Sequence, residues 1–165
     1  MTPTSVQLTG TRLAAVAFDL QRLRNRMMDI APQLAFSGEC RQAFEFYARL
    51  MGGVITVMNT FGGNEDKALP PGSSAAASDR VRYAELSLGQ SVLRGNDVPA
   101  DQSVPMQGFS VSLHVEGANE ARRLFEALSE GGTVTTPLTK VDWADAFGMV
   151  TDRFGVPWLV LGMKA

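Results

Sequence analysis

The feature that most constrains this chain is a helix face that occurs twice. Ala121, Leu124, Phe125 and Leu128 follow the i, i+3, i+4, i+7 spacing of one apolar stripe, and Ala43, Phe46, Tyr47 and Leu50 repeat it 78 positions earlier. Gly131-Gly132 follows the later stripe, Gly52-Gly53 follows the earlier one with one residue of slip, and glycine suits the left-handed close of a helix. A β-branched run comes next in both cases, Val54-Ile-Thr-Val57 and Thr133-Val-Thr-Thr136. Ahead of the later helix, Phe109, Val111, Leu113 and Val115 alternate with Ser110, Ser112 and His114, as a half-buried strand requires. The common order of these signals implies an internal duplication. At the same offset of 78, His114, the chain's single histidine, falls opposite the apolar Phe36.

The remaining periodicity completes each copy. In the first, strands are expected at 32–37, 53–60 and 81–88, with a helix over 39–51; Gly89-Gln90 then turns the chain into a hairpin with Ser91-Val-Leu-Arg-Gly95. In the second, strands are expected at 109–115, from 133, near 139–143, near 147–151 and at 156–162. Each copy reads as βαβββ. The expected organisation is an N-terminal extension over 1–30, a first module over 31–97, a linker over 98–108 and a second module over 109–165. The extension has a helical stripe and four arginines, and three readings stay open for it: an over-long translation start, an extra helix, or a targeting peptide. Residues 61–79, rich in Gly, Pro, Ser and Ala, read as a long mobile loop that covers a pocket or tolerates insertion.

With 15 Lys+Arg against 17 Asp+Glu the net charge is -2, which leaves no electrostatic footprint for nucleic acid or an anionic membrane. One cysteine, Cys40, excludes an internal disulfide and a thiolate metal cluster. It stands near the start of the first helix, where packing is the simpler role and dipole activation the sharper one. No apolar run reaches the ~20 residues of a membrane span. A cytoplasmic protein is expected.

Several motifs go further: Gly38-x-Cys40-x-x-Ala43-Phe44-x-Phe46-Tyr47, Ser112-Leu-His-Val115, Gly131-Gly-Thr-Val134, and above all Phe147-Gly-Met-Val-Thr-Asp-Arg-Phe-Gly-Val-Pro-Trp158. Over residues 31–163 they resemble the vicinal oxygen chelate superfamily, also called glyoxalase/bleomycin resistance/dioxygenase, and within it the PhnB-like branch, whose legacy label is 3-demethylubiquinone-9 3-methyltransferase-like. Arg153 stands where that family usually has proline. The resemblance implies an α+β fold in which two tandem βαβββ modules form a cup-shaped mixed sheet with the helices outside. It also implies a small-molecule ligand in the cup and a homodimer.

Metal-using relatives such as glyoxalase I place four ligands on four cup strands. The matching positions here are Pro32, Glu85, Ser110 and Leu159, of which only Glu85 is a good ligand for a divalent metal. His114 lies four residues beyond Ser110, roughly 13 Å along a strand, so it cannot replace it. No metal site and no cofactor are therefore expected, and the cup is expected to be largely apolar. Glu85 is the first candidate for catalysis, as a general base whose pKa rises by burial, with an ion-paired structural carboxylate as its other reading. His114 is the second, as an acid/base group or a hydrogen-bonded strand-end residue. Tyr83, Ser110, Ser112 and Trp143 are the expected ligand contacts, Trp158 is expected in the core, and Asp152 is expected to cap the turn before Gly155. Two readings stay open: a binding protein without metal, and a superfamily enzyme (isomerase, lyase or transferase-like) using Glu85. A methyltransferase is the weakest version, since no glycine-rich nucleotide-binding turn follows a strand.

Overall fold

In a computed structural model the described residues are 29–63 and 78–164. The expected helical stripe of the extension and most of the expected loop over 61–79 lie outside them. Residues 31–165 form one compact unit.

The duplication governs this unit. The first module comprises β1 (Gln33–Phe36), α1 (Cys40–Met51), β2 (Val54–Thr60), β3 (Val81–Leu88) and β4 (Ser91–Asp97); the second comprises β5 (Val111–Glu116), α2 (Gly117–Ser129), β6 (Thr133–Val141), β7 (Ala144–Thr151) and β8 (Pro157–Met163). Two four-stranded sheets result, ordered β1-β4-β3-β2 and β5-β8-β7-β6, which is the same order twice. In each, the first strand runs parallel to the last and the other pairs are antiparallel. The fold is α+β, as the repeat implies.

Each helix buries one stripe: Cys40, Ala43, Phe44 and Tyr47 in α1, Ala121, Leu124, Phe125 and Leu128 in α2. The strands answer with alternate residues, such as Leu34 and Phe36 in β1 or Val111, Leu113 and Val115 in β5. The intervening residues occupy an open face on the other side of each sheet. Gly52 closes α1 at φ 68 and Gly131 follows α2 at φ 71, the left-handed conformation expected of the two glycine pairs.

Two expectations need correcting. The strands expected from 133 and near 139–143 are one strand, β6, with register shifts on both sides of Pro137. Proline cannot donate to the ladder, so it interrupts the alternation without ending an edge strand, and Trp143 falls in the turn beyond. The second is the offset of 78: the buried stripe of α1, Cys40, Ala43, Phe44 and Tyr47, stands 81 positions before Ala121, Leu124, Phe125 and Leu128 of α2. Leu34 pairs with Gly95 and Gly95 with Ala84, just as Val115 pairs with Gly162 and Gly162 with Ala146. The offset from β1 to β5 is therefore also 81, and His114 corresponds to Gln33, not to the buried Phe36. Three residues separate β1 from α1, whereas β5 runs straight into α2, so α2 begins about one turn earlier in the repeat.

Two buried carboxylates fasten the unit. Asp97, at the end of β4, accepts from the N–H groups of Gly38 and Cys40 through Oδ1 and of Val81 through Oδ2, so it satisfies the entry to α1. Asp152 accepts from the N–H groups of Phe154 and Val156, capping the turn as expected, and also from Tyr47 Oη at 2.6 Å and Trp158 Nε1 at 2.8 Å. Tyr47 belongs to the first module and Trp158 to the second, so this carboxylate ties the two together in the core. Burial, and then the neighbouring Asp152, push the Tyr47 hydroxyl far above its usual range, which keeps it a neutral donor. Arg153 adds a cation–π contact, its guanidinium 4.3 Å from the Phe46 ring centre across the same seam.

Candidate functional site

On the open face of the first sheet, the pairings of Gln33 with Arg94 and of Arg94 with Glu85 set three polar side chains in one row. Glu85 Oε1 accepts from Thr56 Oγ1 at 3.0 Å; Oε2 accepts from Tyr83 Oη at 3.0 Å and from Arg94 Nε at 3.3 Å. Gln33 Nε2 donates to Asn96 Oδ1 at 2.7 Å. The donors to Glu85, Thr56 first, then Tyr83 and Arg94, hold its carboxyl below the usual carboxylate range. The rise expected for a buried general base is therefore reversed: the Glu85 side chain keeps 24% of its exposure and is surrounded by donors. Partial burial, followed by the bond to Glu85, shifts the Tyr83 hydroxyl upward.

The open face of the second sheet differs. Its rows join Ser112 to Leu159 and Met149, and His114 to Leu161 and Phe147. Ser112 Oγ and His114 Nε2 are 2.7 Å apart, and both residues are exposed. Trp143, 60% exposed, packs edge-on against Phe147 with ring centres 5.2 Å apart.

A cavity of about 600 Å³ opens between the modules. Pro32, Met51, Leu88 and Leu93 line it from the first, and Phe109 to His114 with Trp158 from the second. Its polar groups are side chains of Ser91, Ser110, Ser112 and His114; no Asp, Glu, Lys or Arg is among its lining residues. Of the expected site residues, the structure gathers Ser110, Ser112 and His114 here. Glu85 and Tyr83 meet elsewhere, and Trp143 stands apart at the β6–β7 turn.

The glyoxalase-type metal can be tested against these positions. Pro32 and Ser110 line the cavity, whereas Glu85 and Leu159 do not. The oxygens of Glu85, the single strong donor, already accept bonds that include one from a guanidinium, which repels a cation. Among the described residues no three His, Cys, Asp or Glu side chains come together. This donor set does not fit the metal.

Cys40 is buried, and burial, then the nearby Asp97, raise its thiol to about 12. It is a packing residue. The network partners Thr56, Arg94, Gln33 and Asn96 escape a reading by motif, but Arg94 carries a signal: the two-residue turn Gly89-Gln90 pairs Leu88 with Ser91, and counting back along the hairpin sets Glu85 opposite Arg94.

The family model for 3-demethylubiquinone-9 3-methyltransferase matches residues 28–161. The chain is similar to the crystal structure of protein PA1353 from Pseudomonas aeruginosa, with 38% identity and a TM-score of 0.74, covering 84% of this chain and 100% of that one. Protein YjdN of Escherichia coli (strain K12) is 26% identical over 142 residues, 83% of this chain and 97% of that protein. A PhnB protein from Bacillus cereus, 23% identical over 84% of this chain and 100% of its own, superposes with a TM-score of 0.65.

Proposed function

The chain belongs to the PhnB-like 3-demethylubiquinone-9 3-methyltransferase family, with the fold of glyoxalase/bleomycin resistance/dioxygenase proteins, and from that premise we propose that it binds a small molecule in the cavity between its modules without a glyoxalase-type metal. The observation that carries this reading is the cavity itself. Its volume of about 600 Å³ lies within the ~300–1,000 Å³ range of ligand sites, and its apolar walls with a few convergent hydroxyls match their usual chemistry. The apolar side chains drive entry by losing water contact, while Ser110, Ser112 and His114 fix orientation through hydrogen bonds.

The methyl transfer in the family's name draws no support from the strand–helix junctions. These read Ser37-Gly38-Glu39 and Glu116-Gly117, without the glycine-rich turn that cradles a nucleotide. At the first, the N–H groups of Gly38 and Cys40 already bond to Asp97.

A second reading, an enzyme of the superfamily using Glu85, draws on the ordered polar row around that residue. Its lowered pKa makes it a weaker base and a better anionic acceptor, which favours recognition over proton abstraction. A homodimer and a cytoplasmic location accompany the proposal, and light scattering tests the former.

Metal analysis of protein purified without chelator separates the two readings. The binding reading expects substoichiometric metal, equally in wild type and Glu85→Ala. Stoichiometric Ni, Zn, Fe or Mn lost in Glu85→Ala would establish the enzyme reading instead.

A further inference from the structure

We infer that the cavity between the modules selects apolar ligands bearing an anionic group, and that His114 and Ser112 together form the anion-reading end. The inference rests on the binding reading above and deepens it.

The argument starts from the lining. A cavity without Asp, Glu, Lys or Arg imposes no fixed charge on a ligand. His114 is the one side chain of the lining that becomes a cation on taking up a proton. The bond between Ser112 Oγ and His114 Nε2 at 2.7 Å makes the two residues one unit. With imidazole neutral and Nε2 accepting, the serine hydrogen points at the ring and the oxygen lone pairs are left for the ligand, which an anion avoids. Protonation puts a hydrogen on both ring nitrogens. Nε2–H then donates to Ser112 Oγ, the serine hydrogen is released toward the ligand, and a positive charge stands behind it. Charge-assisted hydrogen bonds of this kind are about twice as strong as neutral ones.

The charged groups around His114 do not pre-empt this role. On its own strand face Glu116 lies two residues on; on β8 the facing residues are Leu161 and Met163, and on β7 they are Phe147 and Asp145. Asp145 is engaged by Lys140 of β6 at 3.6 Å. None of these carboxylates lines the cavity, and the segment of β4 that does contributes Ser91, Val92 and Leu93, none of them charged.

Two fluorescent probes that share an anilinonaphthalene frame test the proposal. 8-Anilinonaphthalene-1-sulfonate is an anion throughout the range, and N-phenyl-1-naphthylamine is neutral there. Each is titrated into wild type and His114→Gln between pH 8 and 5.5, with near-UV circular dichroism recording native packing at each pH. In wild type the anionic probe should tighten about tenfold on acidification, the gain of about one charge-assisted bond, while the neutral probe stays within about twofold. In His114→Gln the anionic probe should lose this dependence and the neutral probe keep its affinity. A flat anionic curve in wild type, or a pH dependence that survives His114→Gln, overturns the inference while leaving the binding reading intact if the neutral probe binds. Failure of both probes overturns the binding reading as well.

Discussion

Gln33, Arg94 and Glu85 lie across one row of the first sheet, and His114, Leu161 and Phe147 lie across the corresponding row of the second. The modules share strand order, helix seam and glycine closure, and they place a glycine at matching positions, Gly95 and Gly162, beneath their helices. The face turned toward each helix is held by packing, and any change there costs stability. The open face carries no such constraint, and here one copy has become a polar, hydrogen-bonded surface while the other sets Leu159, Met149, Leu161 and Phe147 around its Ser–His pair. Divergence after duplication has run on the side of the sheet where the core does not resist it.

The largest effect is expected where the modules meet. Asp152→Ala strips a buried acceptor from Tyr47 Oη, Trp158 Nε1 and two backbone N–H groups. Three of these bonds are buried, and each group left unsatisfied costs roughly 1–3 kcal/mol, so a loss of at least about 3 kcal/mol should appear in urea unfolding. Glu85→Ala should change the midpoint far less, since Glu85 is only partly buried and its donors can turn to water. Equal losses for the two would break the contrast between a constrained inner side and a free open one.

Next comes the glycine pair. A Cβ at Gly162 would stand 2.6 Å from the carbonyl oxygen of Gly117, and one at Gly95 would stand 2.5 Å from the Phe44 ring. Both substitutions to alanine should destabilise, by about 1–3 kcal/mol as overpacking does. Gly162→Ala should be the worse, because backbone yields less than a ring. Thermal unfolding of the two variants ranks them, and the reverse order would mean that the second module is the more plastic copy.

A smaller effect is a pH dependence confined to the first module. The Glu85 carboxyl is lowered in the folded protein, so its contribution is fully present above the unfolded carboxylate value of about 4.3. It is lost as pH falls through the still lower folded value. Glu85→Gln should therefore lose less stability than wild type between pH 6 and pH 3. Parallel acid limbs in the two proteins would show that the row is not held by an ionised Glu85.

Much of this architecture was legible because periodicity and glycine position are local signals. The existence of a repeat, the alternation of β5 and the glycine closures were readable from residue type alone. Its offset was not, since the partly buried Phe46 and Leu50 imitate the stripe that Cys40 and Phe44 form with Ala43 and Tyr47, and so Phe36 stood in for Gln33 as the counterpart of His114. The direction of the Glu85 shift was hidden for a related reason. Burial and hydrogen bonding push a carboxyl in opposite ways, and the donors Thr56 and Arg94 come from two other strands. The bond from Tyr47 to Asp152 spans 105 residues and follows from no local pattern.

The central claim is that the cavity beside β5, and not the polar row of the first sheet, holds the ligand. Fluorescence titration of N-phenyl-1-naphthylamine into Ser112→Phe and Glu85→Ala tests it most directly. Ser112 lines the cavity and is exposed on its strand, so a phenyl ring there fills space without entering the core. The account predicts at least a tenfold loss of affinity in Ser112→Phe and a change within about twofold in Glu85→Ala. Binding that survives Ser112→Phe and is lost in Glu85→Ala would contradict it.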